Sequence, residues 1–260
     1  CSAFIEWVAE QVRTKKWSLD VCVGHALLHR QFTKTETVCT KTLYNELATG
    51  NLPLSLFDVP LLLRRKPNRK GYRVHKRLKG RSIDERPAIV DARTELGHWE
   101  ADTVIGRKSG KEAAILTLVE RVTNHYLAIH IPGKNSDSVI EAMEGLRAEF
   151  GDRFSSVFKS ITTDNGSEFE DFSTLESWGT AIYFAHPYSS WERGANENMN
   201  GLIREFFPKK MAFESITKKE IDLAMHHLNH RPRKCLGYRT PHEIFMEQLQ
   251  LHNQSVALQT

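Results

Sequence analysis

Apolar positions recur along this chain with two different periods, and the change of period divides it. Residues 3–14 place Phe4, Ile5, Val8, Ala9 and Val12 on one helical face. Ser18 predicts the cap of a second helix holding Val21, Ala26, Leu27 and Leu28. Thr40 predicts the cap of a third, which runs towards Gly50, and glycine is common just past a helix end. Three short helices in series fit a helix-turn-helix reader, with Lys41, Thr42, Tyr44 and Asn45 on accessible positions of the last. Pro53, Pro60 and Pro67 then argue against continuous regular structure.

From Thr94 the apolar period changes to two. Residues 97–106 read as a strand ending in a glycine turn, with His98, Glu100, Asp102 and Val104 on one face. Two apolar runs follow, 113–119 and 126–131, and predict a three-stranded meander. Ser136 caps a helix through Phe150 that turns Val139, Ile140, Met143 and Leu146 inward. A β-prone run at 160–163 stops on Asp164-Asn165-Gly166, which is turn chemistry. By the usual crossover it lies parallel to its neighbour. After a last run at 181–185 comes an Asn-rich helix over about 193–207, limited by Pro208. Met199, Leu202, Ile203 and Phe206 form its core stripe, and Glu197 and Arg204 lie opposite. The order β-β-β-α-β-α-β-α predicts an α/β fold, a mixed five-stranded sheet with flanking helices on the ribonuclease H-like plan. A small helical helix-turn-helix domain precedes it. Strand order does not follow from the pattern. The expected boundaries are a helical domain over 1–60, a linker over 61–93, the sheet domain over 94–250 and a tail over 251–260.

Charge changes the picture of the linker. Residues 64–81 hold ten Lys or Arg and no acid, and taking ten from the net +4 leaves the rest of the chain at −6. An acidic body with one intensely basic strip points to a polyanion partner. Arg64, Arg65, Lys66, Arg69, Lys70, Arg73, Lys76 and Arg77 are the candidate phosphate contacts, with Tyr72 and His75 placed for stacking or sugar contacts. No apolar run has the length of a membrane span. A signal peptide is not expected, because the first apolar residues alternate with Glu6, Glu10 and Gln11. The first residue is Cys rather than Met, which leaves a truncated N-terminus open. Cys1, Cys22, Cys39 and Cys235 have no metal-type spacing and read as reduced thiols of a cytosolic protein.

The candidate chemistry lies in three carboxylates. Asp164 is expected at the carboxyl end of a buried strand, where open α/β sheets place ligands. Asp102 on the first strand and Glu197 on the Asn-rich helix complete a set. Taken singly, an Asp before Asn-Gly is a turn and a helix Glu is a solvated face. Together they suit phosphodiester chemistry, where two hard cations ~3.5–4 Å apart activate a nucleophile and stabilise the leaving oxygen. Mg²⁺ needs only a few carboxylates beside water and phosphate. His226, His227 and His230 cluster at helical spacing, but no acidic third ligand accompanies them, so zinc is not expected.

HWEADTVIG, TTDNGSEF, HPYSSWERGANENMNGLIREFFPKK and LNHRPRKCLGYRTPHEIF, in that order, resemble the bacterial insertion sequence thirty family of transposases. The resemblance covers residues 94–246, and more loosely the third helix. It implies an Asp-Asp-Glu triad at Asp102, Asp164 and Glu197 that is both catalytic and metal-binding, with Mg²⁺ or Mn²⁺ in a two-metal site. Glu100 is the rival for the first place, and Glu168 and Glu192 for the third. The 32 residues between Asp164 and Glu197 are one fewer than the family's spacing, a difference that one residue in the 173–180 loop absorbs. The resemblance further implies that Arg204, Arg231 and Arg233 meet DNA. Terminal inverted repeats would be bound by the helical domain, and strands cut and joined to target DNA by the sheet domain. Implied with this are double-stranded DNA as partner, at least a dimer, and a place at the nucleoid in the bacterial cytoplasm. The alternatives are a non-catalytic DNA-binding repressor or degenerate element product, and a non-transposing integrase or nuclease of the same fold.

Overall fold

The alternation that begins at His98 forms the central strand of a five-stranded sheet in the computed structural model, which describes residues 2–59, 78–107, 112–187 and 189–257. β1 (His98–Ile105) pairs antiparallel with β2 (Ala114–Glu120), and β2 with β3 (Tyr126–Ile131). On its other side β1 pairs in parallel with β4 (Ser160–Thr163), which pairs in parallel with β5 (Ala181–Phe184). The order is β3-β2-β1-β4-β5, a mixed ribonuclease H-like sheet. All of β2 is buried, so it reads as an apolar run without alternation. The meander and the parallel β4 agree with the pattern; the order supplies what the pattern left open.

The helices are α1 (Ser2–Lys15), α2 (Leu19–Leu28), α3 (Thr40–Thr49), α4 (Ala88–Ala92), α5 (Ser136–Phe150), α6 (Phe154–Val157), α7 (Gly194–Ile203), α8 (Lys218–Asn229) and α9 (Pro241–Ala257). Contacts divide the described chain into two units, 2–59 with 229–247, and 78–228 with 248–257. Composition had grouped 229–247 with the sheet; its contacts are with the first unit.

In the first unit Phe4, Val8, Val12, Leu19, Cys22, Ala26, Leu43 and Leu47 share one core, as the three-helix reading requires. Ser18 caps α2 by accepting the Val21 N–H at 3.3 Å. Thr40 is not a cap: Cys39, in extended backbone, holds that position and Thr40 is the first helical residue. Gly50 closes α3 at φ 78, a left-handed conformation that glycine adopts without strain. The Tyr238 ring lies so close to Gly24 that a Cβ there would meet it at 2.2 Å. That close approach explains why the 229–247 segment belongs with α2.

In the second unit β1 divides its side chains by face. Trp99 is fully buried, stacks on Phe158 at 4.8 Å and donates its indole N–H to the Val157 carbonyl at 2.8 Å. On the other face Val104 joins Ile115, Val119 and Tyr126 under Met199, Leu202 and Ile203 of α7. The core stripe of α7 is as expected, but the helix stops at Ile203 rather than at 207. Phe207 stays buried because the turn after Ile203 folds back, with its N–H on the Ile203 carbonyl.

Candidate active site

Parallel pairing decides which carboxylates meet. β1 and β4 run in register His98–Ser160, Trp99–Ile161 and Glu100–Thr162. Two residues further along both strands the same register reaches Asp102 and Asp164, on strands ~4.8 Å apart. Asp164 is fixed by its own turn, where Oδ1 accepts the Gly166 N–H at 2.8 Å. Asn165 is buried and ties that turn down, donating to the Ala185 carbonyl at 2.6 Å and accepting the Lys79 N–H at 3.1 Å. The Asp-Asn-Gly sequence is therefore both a turn and a mount.

Arg193, just before α7, reaches between the two aspartates. Its Nη1 donates to the Ala101 carbonyl at 3.1 Å and lies 3.5 Å from Asp102 Oδ2, while Nη2 lies 3.4 Å from Asp164 Oδ2. Asp102 also accepts from the Thr103 N–H at 2.8 Å and from Asn200 Nδ2 at 3.1 Å. The Tyr126 hydroxyl orients Asn200 by donating to its Oδ1 at 3.0 Å. Desolvation pushes the Asp102 carboxyl above its ordinary range; Arg193 opposes this and the charge of Asp164 adds to it. Arg204 is half-buried in the field of Tyr126 and Asp102, and desolvation lowers its pKa against both. These are two neighbouring acids with one buried and one half-buried cation around them.

The other acids have different places. Glu100 is fully buried, pairs with Arg121 and accepts the Asn196 N–H of α7 at 3.0 Å through Oε2. It holds the helix rather than facing a substrate. Glu168 accepts from the Thr103 hydroxyl at 2.8 Å and pairs with Lys134 at 3.0 Å. Thr103 leaves β1 on the face opposite Asp102, yet the Glu168 charge is close enough to add to the rise in the Asp102 pKa. Glu197 is exposed on α7. Asp102 and Asp164 are brought together by their shared Arg193, whereas among the described residues no third His, Cys, Asp or Glu, Glu197 included, joins them in a group that could hold a metal ion. The histidine segment forms no such group either, and His230 stacks on His242 with ring centres 4.6 Å apart.

Of the expected DNA contacts, Lys41, Thr42 and Asn45 are exposed on α3 and Tyr44 is half-buried. Arg233 is half-buried, whereas Arg231 is buried, with its charge felt by the Cys22 thiol. Arg64, Arg65, Lys66, Arg69, Lys70, Arg73, Lys76 and Arg77 lie outside the described residues. Sequence reasoning missed Arg193 and Asn200, although both stand in the word ERGANENMN, where Asn196 and Asn200 fall at i and i+4 on one helix face.

The loop before α7 is stapled by a histidine. His186 Nδ1 lies 2.8 Å from Glu192 Oε1 and its Nε2 2.9 Å from Asp84 Oδ2, while its backbone N–H donates to Glu192 Oε2 at 2.8 Å. Glu192, and then Asp84, raise the imidazole pKa. A raised pKa means that the staple's contribution is complete below the ordinary imidazole range and is lost as pH rises through the folded value. The protection of the His186 amide against hydrogen exchange is expected to fall across that window. In His186→Gln that step should vanish; the same step in the variant would show another group responsible.

Residues 92–190 match the family model described as the integrase core domain. The probable transposase for the insertion-like sequence element IS1161 of Streptococcus salivarius is 40% identical over 79% of this chain and 58% of its own length. The transposase InsI for insertion sequence element IS30A of Escherichia coli (strain K12) is 37% identical over 88% of this chain and 61% of its own. The transposase for insertion sequence element IS4351 of Bacteroides fragilis is 41% identical over 64% of this chain and 49% of its own. The chain thus spans about three-fifths or less of the length of the curated relatives it matches. Asp102 and Asp164 fall inside the integrase-core match and Glu197 beyond its end. By sequence, residues 92–190 carry an integrase core domain, and most of the chain is similar to transposases of insertion sequence elements.

Proposed function

We propose that this chain is the end-binding and catalytic part of a DNA transposase, cutting a strand at the end of a mobile element and joining the exposed 3′-hydroxyl to target DNA. The observation that carries this is that Asp102, within β1, and Asp164, just past the end of the parallel β4, both lie within 3.5 Å of one buried guanidinium. Their oxygens are hard donors, and that chemistry fits Mg²⁺ or Mn²⁺. Asp102 and Asp164 would hold the ions, with Glu197 as the third carboxylate. When bound, such ions activate the attacking oxygen and neutralise charge on the scissile phosphate. The chain's own parts do the rest: Asn200 and the Thr103 N–H fix the Asp102 carboxylate, and Arg204 supplies positive charge beside it for the DNA backbone.

DNA in two places follows from this reading. The exposed face of α3 would read the terminal repeat, and the basic strip 64–81 would hold the backbone, an affinity that falls with salt. Joining two element ends calls for at least a dimer. The test is Mg²⁺-dependent nicking and joining of DNA that carries the element's ends, for the wild type against Asp164→Ala. Activity is expected only in the wild type; equal activity would remove Asp164 from the chemistry. DNA binding without cutting by the wild type would favour the non-catalytic repressor.

A further inference from the structure

The carboxylate pair already has a cation, and it belongs to the protein. Arg193 is buried, so its charge is not screened by water, and it reaches one oxygen of each aspartate. Its hold on them is loose. The two contacts, at 3.5 and 3.4 Å, are long for charge-assisted hydrogen bonds, and the buried Nε has no hydrogen-bond partner. A guanidinium meant to stay would have tighter contacts and a satisfied Nε. Its backbone is the residue immediately before α7, the helix that carries Glu197 three residues after Gly194.

We infer that Arg193 is a resident counter-cation of the Asp102–Asp164 pair, a positioning residue that divalent ions displace. This rests on the reading of that pair as the ion site. Without ions the guanidinium keeps two adjacent carboxylates from repelling one another. With them, a cation on the same oxygens and a buried guanidinium cannot share the space without strong repulsion, so the arginine withdraws. Because Arg193 leads directly into α7, its withdrawal changes the anchorage of the helix start on which Glu197 stands.

The test uses the full chain without DNA, reading Mn²⁺ affinity by titration calorimetry and thermal midpoint with and without Mg²⁺. Arg193→Gln is expected to bind Mn²⁺ at least about tenfold more tightly than the wild type, since the competing charge is gone. Its midpoint should drop without divalent ions and recover more than the wild type's when Mg²⁺ is added. Arg193→Lys, which keeps charge without a bridging fork, should fall between the two and covers the case in which the glutamine variant folds poorly. Unchanged or weaker Mn²⁺ binding in both variants overturns the inference. Asp164→Asn separates the two levels: if it binds Mn²⁺ as the wild type does, the pair is not the ion site and both readings fall. If it loses binding, the pair stands and the Arg193 variants alone decide.

Discussion

Glu100→Ala is expected to destabilise the second unit by about 3–5 kcal/mol, the usual cost of removing one member of a buried ion pair. The deletion strands the Arg121 guanidinium, whose other acceptors are the Val90 carbonyl at 3.2 Å and the more distant Asp91 at 3.4 Å. Burial already pulls the Arg121 pKa down, with Glu100 the chief opposing influence, so its charge is poorly tolerated alone. The same deletion removes the acceptor of the Asn196 N–H and frees the start of α7. Glu100→Gln keeps that acceptor and should cost less. Pairing Glu100→Ala with Arg121→Leu should recover much of the loss, because replacing a buried pair by apolar groups is often neutral. Denaturant midpoints measure all three. A loss in Glu100→Ala below about 1 kcal/mol, the scale of an exposed pair, would show that Arg121 finds compensation elsewhere.

Glu100 also shows where reading the sequence stops. Alternation put Glu100 and Asp102 on one face of β1 and could not rank them, since period two says nothing about what lies above each position. The structure ranks them by their neighbours: Glu100 lies under the first turn of α7 and beside Arg121, whereas Asp102 lies two residues nearer the strand end, level with Asp164. Elements were legible because periodicity is local, so β3, α5 and β4 fall at 126–131, 136–150 and 160–163 as expected, although Asn135 rather than Ser136 caps α5, accepting the Ser138 N–H at 2.9 Å. Pairings across the chain were less so. Strand order, the Arg193 bridge and the grouping of 229–247 with the first unit all join residues far apart in sequence. The burial of Arg231 was likewise not legible, because a basic run looks solvated until the tertiary structure buries one member.

Glu197→Gln is expected to abolish strand cleavage and joining while leaving the thermal midpoint of the ion-free protein unchanged. The second half follows from exposure, since an exposed carboxylate has little packing to lose. The first half rests on the proposed role. A third carboxylate that engages the ions only in the loaded arrangement acts on the chemical step, and a loss of about 4 kcal/mol there is roughly a thousandfold in rate. Asp102→Asn should lose at least as much, because it removes a donor next to Asp164 and also alters the group that Asn200 and Thr103 hold. Glu168→Gln supplies the contrast. It leaves Lys134 and the Thr103 hydroxyl with a neutral partner, which should lower stability by about 1–3 kcal/mol while the rate per folded molecule stays within a few-fold. Single-turnover cleavage at saturating Mg²⁺, normalised to folded protein, reads all three variants. The reverse pattern, an active Glu197→Gln and an inactive but folded Glu168→Gln, would move the third carboxylate to the opposite face of β1. It would also leave α7 with no acid in the chemistry, only Asn200, with Arg193 just before the helix, to set the aspartates.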